Sequence, residues 1–494
     1  MNKLSPRIFT FLLGLVLTFS ACLPGTFHRD KYAVSSSTAT QTSLSHAVTP
    51  FPTRPEYKPG EMVAYIAQTG DTLPALAAHF NTSVIEIRDA NPIIPDDATT
   101  MPPGLPMQIP IYYLPLWGSQ YHILPDHAFV NGPSISGFDT QAFVDGHAGW
   151  LKDFTAYVGG TTRTGAGVVN YVATNFSISP RLLLAILEYQ AKAISSPELP
   201  KSNSPYTLGY IEHFHRGMYL QLVWAANTLN NGYYGWRTGS LTSFDHPDGR
   251  LERPDPWQNA ASVGIQYYFS LLFSASDYDQ AISSEGLIKT YSDLFEDPWA
   301  DPTILIPGSL QQPAFHLPFP ASHIWTYTGG PHTGWGEGEP YAGIDFAPPS
   351  EHSGCFVTDE QEYSTAVSDG IVVRSETGVV VLDLDGDGDE HTGWTLLYLH
   401  LAEKGRAKVG DILKLGDQVG YPSCEGGRTT GTHVHIARKY NGEWIPADGP
   451  LAFNLEGWIA HNGQHPYLGT LTKGILVIVA CECSDVYSQI KAGD

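Results

Sequence analysis

Residues Cys424 to Gly442 read CEGGRTTGTHVHIARKYNG, and the fold of the last third of the chain turns on them. In a β-strand alternate residues share a face, so His433 and His435 project from one side of a sheet. Working outward, the chain from about Pro318 is Gly-rich, with short runs GIVVR, GVVVLDL and WTLLYLHL. These are the signature of an antiparallel sheet. The segment LLYLHL puts His400 at the end of a strand, and GGPHTGWGEGEPYAGIDFA holds His332 and Asp345. A catalytic zinc takes three protein ligands and leaves one position open for water. One histidine of the H-x-H pair together with His332 and Asp345 would supply that set.

The Tyr398-Leu399-His400, His433-Val434-His435 and Gly343-Ile344-Asp345 signals resemble the LytM/lysostaphin-type zinc endopeptidases of cell walls. Most members carry the first ligand histidine four residues before the aspartate, where this chain has Tyr341. The beta-lytic and staphylolysin-type subgroup instead places it thirteen residues before, in a longer Gly-rich loop. His332 and Asp345 have that interval, and CEGG ahead of the H-x-H motif also resembles the subgroup. The resemblance implies His332, Asp345 and His435 as zinc ligands. It implies His400 and His433 as the unliganded catalytic pair flanking the attacking water. One would accept the water's proton, and the other would stabilise the oxyanion or protonate the leaving amine. Tyr341 as a phenolate ligand is the rival, but it would first have to lose a proton of pKa about 10.

Cys424 lies just before the H-x-H strand and Cys355 follows Asp345 by ten residues, so a disulfide between them would pin two active-site loops. Cys481 and Cys483 stand too close in sequence for an easy bridge. The run DLDGDGDE alternates Asp with Gly, as calcium loops do, which makes calcium at Asp383, Asp385 and Asp387 a secondary candidate. Trp394 occupies the position where such a loop needs a bidentate carboxylate, which favours a plain acidic hairpin.

Four further regions precede the zinc domain. In residues 61–112 the order strand, helix, helix, strand follows from VAYI, a Thr69-Gly70-Asp71 turn, the apolar face Leu73, Leu76, Ala77, Phe80, and the return GLPMQIP. QTGDTL and the Asn91-Pro92 after the second helix resemble a LysM module, a family that binds N-acetylglucosamine polymers such as peptidoglycan. Residues 113–315 carry long helical patterns rich in Trp and Tyr and read as an all-α domain. Its helix after Ser179-Pro180 distantly resembles the catalytic helix of lysozyme-like transglycosylases. The acid falls on Gln190, which cannot protonate a glycosidic oxygen, and Glu188 lies about 200 degrees around the helix. A degenerate, glycan-positioning domain is therefore expected.

Residues 1–22 read as a lipoprotein-type signal peptide with Cys22 as the lipidated residue, and 23–60 as a Ser/Thr/Pro-rich linker. Residues 316–465 form the zinc domain and 466–494 a C-terminal tail. With 50 acidic against 27 basic residues the chain repels phosphate backbones, so nucleic acid is no partner. The expected protein is multidomain: a small α+β LysM module, an all-α middle domain and a mainly antiparallel-β zinc peptidase domain. The expected function is an exported, lipid-anchored endopeptidase that cuts peptidoglycan peptides at one zinc ion. Two other readings stay open. One is a non-catalytic wall-binding lipoprotein that scaffolds or activates other hydrolases; the other is a secreted protease acting on glycine-rich proteins.

Overall fold

In the N-terminal module, strand Glu61–Ile66 turns Val63 and Tyr65 inward and leaves Met62, Ala64 and Ile66 exposed. The computed structural model describes residues 54–483 and 485–493. The signal segment with Cys22, and most of the linker, lie outside these residues. Thr72 caps helix Leu73–His79 by accepting from the Ala75 amide at 3.3 Å, and Pro74 sits in the first turn, where no donor is needed. Ser83 and Glu86 form a capping box on helix Val84–Ala90. Strand Pro106–Ile111 then pairs antiparallel with the first strand over a core of Leu76, Phe80, Ile87 and Ile109.

This module is packed into the chain that follows it. His79 lies flat on Trp236, with ring centroids 3.4 Å apart. The hydroxyls of Thr99 and Thr100 donate to the carbonyls of Leu310 and Pro307 at 2.6 and 2.7 Å. At the centre of the junction Arg237, on helix Met218–Thr238, is buried and donates to the Thr69 carbonyl in the module. It also pairs with Asp126 at 3.0 Å and with Glu443 at 2.9 Å. One guanidinium therefore ties the module, the helical region and the C-terminal sheet. Arg237→Ala would leave two buried carboxylates without their cation, and it is expected to lower stability by about 3–5 kcal/mol. Chemical denaturation measures this. A loss under about 1 kcal/mol, the range of exposed pairs, would show that the network does not hold the modules together.

The middle region is mostly helical. Pro180 opens helix Pro180–Ala191 beneath a Ser179 cap. Helices Met218–Thr238 and Ala260–Ser270 meet where Gly232 faces Gly264, and a Cβ on Gly232 would lie 2.8 Å from the Gly264 Cα. The region is not purely helical, contrary to the expectation from sequence. Thr155–Val158 and Thr161–Thr164 form a hairpin across Gly159-Gly160, both with positive φ, and Phe244–Asp245 pairs with Leu251–Glu252. A two-residue Gly-Gly turn is what so tight a hairpin requires.

The C-terminal third is a nine-stranded antiparallel sheet. Its central order runs Gly370–Glu376, Gly378–Asp383, Trp394–Leu401, Val434–Tyr440, Gly343–Ala347, Ile324–His332. One face, with Val380, Leu396, Tyr398, Val434 and Ile436, builds its own core. The other face, with Val379, Val381, Leu397, Leu399 and Ala437, shares a core with the helices of the middle region. The described residues of 466–494, expected to be a tail, belong to the domain. Gly469–Lys473 and Leu476–Val479 extend a second sheet of four strands, and Gln489–Lys491 pairs with Ile324–Thr326. Leu476–Val479 is exposed or half-buried throughout, so it lacks the alternation by which a strand shows itself in sequence. No helix of the described residues is long and apolar enough to cross a membrane.

Candidate metal centre

Pairing register decides which side chains meet. His435 lies opposite Asp345 on one neighbouring strand and opposite Leu399 on the other, while His332 lies opposite Gly343. Three adjacent strands thereby aim His332, Asp345 and His435 from the sheet face that also packs on the helices. Gly343 makes the approach feasible, since a Cβ there would lie 2.1 Å from His435 Cε1. The three side chains are buried, and their ligand atoms lie close together. His332 Nε2 is 3.0 Å from His435 Nδ1 and 3.4 Å from Asp345 Oδ1, and His435 Nδ1 is 3.0 Å from Asp345 Oδ1.

These spacings fit zinc. Bonds of about 2.0–2.1 Å in a tetrahedron separate ligand atoms by about 3.3 Å. The hydrogen-bond partners assign the tautomers. His332 Nδ1 donates to the Gly330 carbonyl at 2.8 Å, which leaves the Nε2 lone pair directed inward. His435 Nε2 donates to the Gly334 carbonyl at 3.2 Å, which leaves Nδ1 facing the same point. Outer partners of this kind orient metal-bound histidines. Burial lowers His332 to about 4, so it is neutral near pH 7 and its lone pair is free. For Asp345, burial acts to raise the pKa. The surrounding imidazoles outweigh it and hold the carboxyl below its ordinary range. Two imidazole lone pairs and a carboxylate oxygen thus converge on one point, an arrangement that repels itself without a cation.

His400 and His433 stand beside this group, with ring centroids 4.6 Å apart. His433 Nε2 is 3.7 Å from Asp345 Oδ2. His400 is aimed by a bulge: Gly378 pairs with Leu401 and Val379 with Leu399, so His400 is skipped and takes φ +67°. His400 Nδ1 donates to the Glu425 carbonyl at 2.9 Å, and His433 Nδ1 to the Gly431 carbonyl at 2.8 Å. Each ring therefore offers Nε2 as a base. Burial lowers His400 to about 3, which keeps it neutral at physiological pH.

Tyr341 lies two residues ahead of the strand that carries Asp345, and its amide donates to the Glu339 carboxylate at 3.2 Å. Burial, with the Glu339 carboxylate, raises its pKa, the wrong direction for a phenolate ligand. Tyr467 is a residue that the sequence did not single out. It stacks on His332 with centroids 4.1 Å apart, and its carbonyl accepts from the Gly330 amide at 2.8 Å. No motif marks it, and it falls in the stretch read as a tail.

Cys355 and Cys424 are joined by a disulfide, closing a loop with a sequence separation of 69. Cys481 and Cys483, read as too close for an easy bridge, are also joined. A bend at Glu482 brings their Cα atoms to 5.0 Å, within the usual span of a disulfide. Asp383, Asp385 and Asp387 lie within mutual reach, but the Asp383 carboxylate is engaged by the amides of Asp385, Gly386 and Gly388. That is the acidic hairpin, and it lends calcium no support. In the helical region Gln190 accepts from Tyr268 at 2.7 Å and donates to the Leu208 carbonyl at 2.9 Å. Glu188 accepts from the amides of Ile194 and Ser195 and from the Ser195 hydroxyl. Both act as structural ties.

Residues 65–110 match the LysM domain family, and residues 122–309 match the family described as LasA, N-terminal domain. Protease LasA of Pseudomonas aeruginosa strain UCBPP-PA14 is 23% identical over 360 residues, covering 69% of this chain and 78% of that protein. The chain is thus similar to LysM domains over its N-terminal module and to protease LasA over most of its length. Among solved structures, the deep-sea M23 metalloprotease pseudoalterin is 21% identical, covering 34% of this chain and 96% of its own, with a TM-score of 0.29. The catalytic domain of lysostaphin from Staphylococcus simulans is 24% identical, covering 25% and 89%, with a TM-score of 0.18.

Proposed function

We propose that this chain is an exported zinc metalloendopeptidase that hydrolyses stem or bridge peptides of peptidoglycan. The convergence of His332, Asp345 and His435 beside a His400–His433 pair carries the proposal. In this reading His332, Asp345 and His435 hold the ion. The chemistry zinc supplies when bound is Lewis-acid polarisation of the scissile carbonyl and acidification of the attacking water. His400 and His433, each tethered through Nδ1 to a backbone carbonyl, present Nε2 to the reacting atoms. One takes the water's proton; the other, once protonated, donates to the carbonyl oxygen or the leaving amine. The LysM match supports glycan as the surface on which the enzyme is held. A lipid on Cys22 would add a membrane anchor.

The test is digestion of isolated sacculi by the purified full chain, with and without chelation. The expected result is release of free amino groups without new sugar reducing ends. Chelator should abolish it and added zinc restore it. Tight zinc binding without any cleavage would return the reading to a non-catalytic wall-binding protein. New reducing ends would instead make the helical region a glycosidase.

A further inference from the structure

The thirteen-residue interval between His332 and Asp345 is a glycine-rich loop, and the helical region grips it. Asn227 and Asn231 lie four residues apart, and so on one face, of helix Met218–Thr238. The Asn227 side-chain oxygen accepts from the Glu337 amide at 2.8 Å, and the Asn231 oxygen accepts from the Glu339 amide at 2.7 Å. Gly336 and Gly338, with φ near +85°, let the backbone come this close. A Cβ at Gly336 would lie 2.4 Å from the Asn227 oxygen, and one at Gly338 would lie 2.1 Å from the Asn231 oxygen. The same loop carries Gly334, whose carbonyl accepts from His435 Nε2 and so fixes which nitrogen His435 turns toward Asp345. Gly334 is backed by Trp444, whose indole N–H donates to the Phe176 carbonyl of the helical region at 3.3 Å.

We infer that Asn227 and Asn231 are positioning residues for the metal centre: by holding the 333–340 loop they fix the Gly334 carbonyl, and through it the His435 ring. The helical region thereby becomes a working part of zinc retention and not only a spacer. The inference rests on the reading of His332, Asp345 and His435 as zinc ligands. Neither asparagine touches the ion, the substrate or the reacting atoms.

The test compares zinc retention in the full-length chain, the Asn227→Leu/Asn231→Leu variant and the Asn227→Asp/Asn231→Asp variant. Leucine removes the acceptor at similar volume, and aspartate keeps an oxygen in the same place. The readouts are zinc content against a competing chelator and thermal unfolding of the metal-free proteins. The leucine pair is expected to hold zinc roughly 10–100-fold more weakly, the usual effect of losing an outer partner. The aspartate pair is expected to stay near the parent. Should the leucine pair fail to fold, the single Asn227→Leu variant carries the comparison, with a loss of about tenfold expected. Parent-like retention in the leucine variants overturns the inference, and so does equal loss in the aspartate pair. A parent chain that takes up no zinc overturns the ligand assignment itself and this inference with it.

Discussion

His332→Ala is expected to abolish zinc binding and activity together, whereas Tyr341→Phe is expected to leave zinc content and most turnover intact. The commoner spacing of the resembled family points to position 341 and the subgroup spacing to position 332. Ligand geometry at His332 and ionisation at Tyr341 favour position 332. His332 Nε2 lies 3.0 and 3.4 Å from the two other ligand atoms, and its Nδ1 proton is committed to the Gly330 carbonyl. The Tyr341 phenol has its pKa raised by burial and by the Glu339 carboxylate, which opposes the ionisation a phenolate ligand needs. A three-ligand site reduced to two does not retain the ion, so Asp345→Ala and His435→Ala should behave as His332→Ala does. Elemental analysis after dialysis reads the result. Stoichiometric zinc in His332→Ala, or its loss from Tyr341→Phe alone, would reverse the assignment.

The second large effect is expected of His400→Ala, which should keep the metal and lose turnover by roughly 10²–10⁴-fold, the range of a lost general acid or base. His400 is not among the three converging side chains, and its ring centroid lies 4.6 Å from that of His433. Its Nδ1 proton is fixed on the Glu425 carbonyl, so Nε2 is the free nitrogen. Because burial lowers its pKa to about 3, the neutral base form is present above that value and is lost only as pH falls through it. Removing it should therefore depress kcat across the neutral range without moving zinc affinity. Loss of zinc in this variant would make His400 a ligand; unchanged kcat would leave His433 to work alone.

Much of this protein was legible in its sequence, because strand and helix periodicities are local. The alternation His433-Val434-His435 puts two imidazoles on one side of a strand wherever that strand lies, and the structure has them so. The module at 65–110 was equally readable, since caps, turns and apolar faces all fall within one short segment. The LasA-type relation of residues 122–309 was not drawn from the sequence, whose helices there carry no chemical signature.

What sequence could not supply is everything that depends on register or on contact between distant segments. The bulge that aims His400 exists because Gly378 and Leu401 pair out of step with their neighbours. Tyr467 reaches His332 because the second sheet folds back on the strand ending at that histidine. Arg237, Asn227 and Asn231 look like ordinary polar residues of a long helix. They acquire meaning only when Glu443 and the 336–339 loop arrive from the other end of the chain. The sequence by itself determined which residues could bind a metal and which elements they ride on, since those follow from residue type and local period. Only the tertiary structure decided that three strands bring His332, Asp345 and His435 within one ion's reach, and that a buried helix holds the loop between them. Hydrogen-bond partners at separations of a hundred residues or more leave no periodic trace.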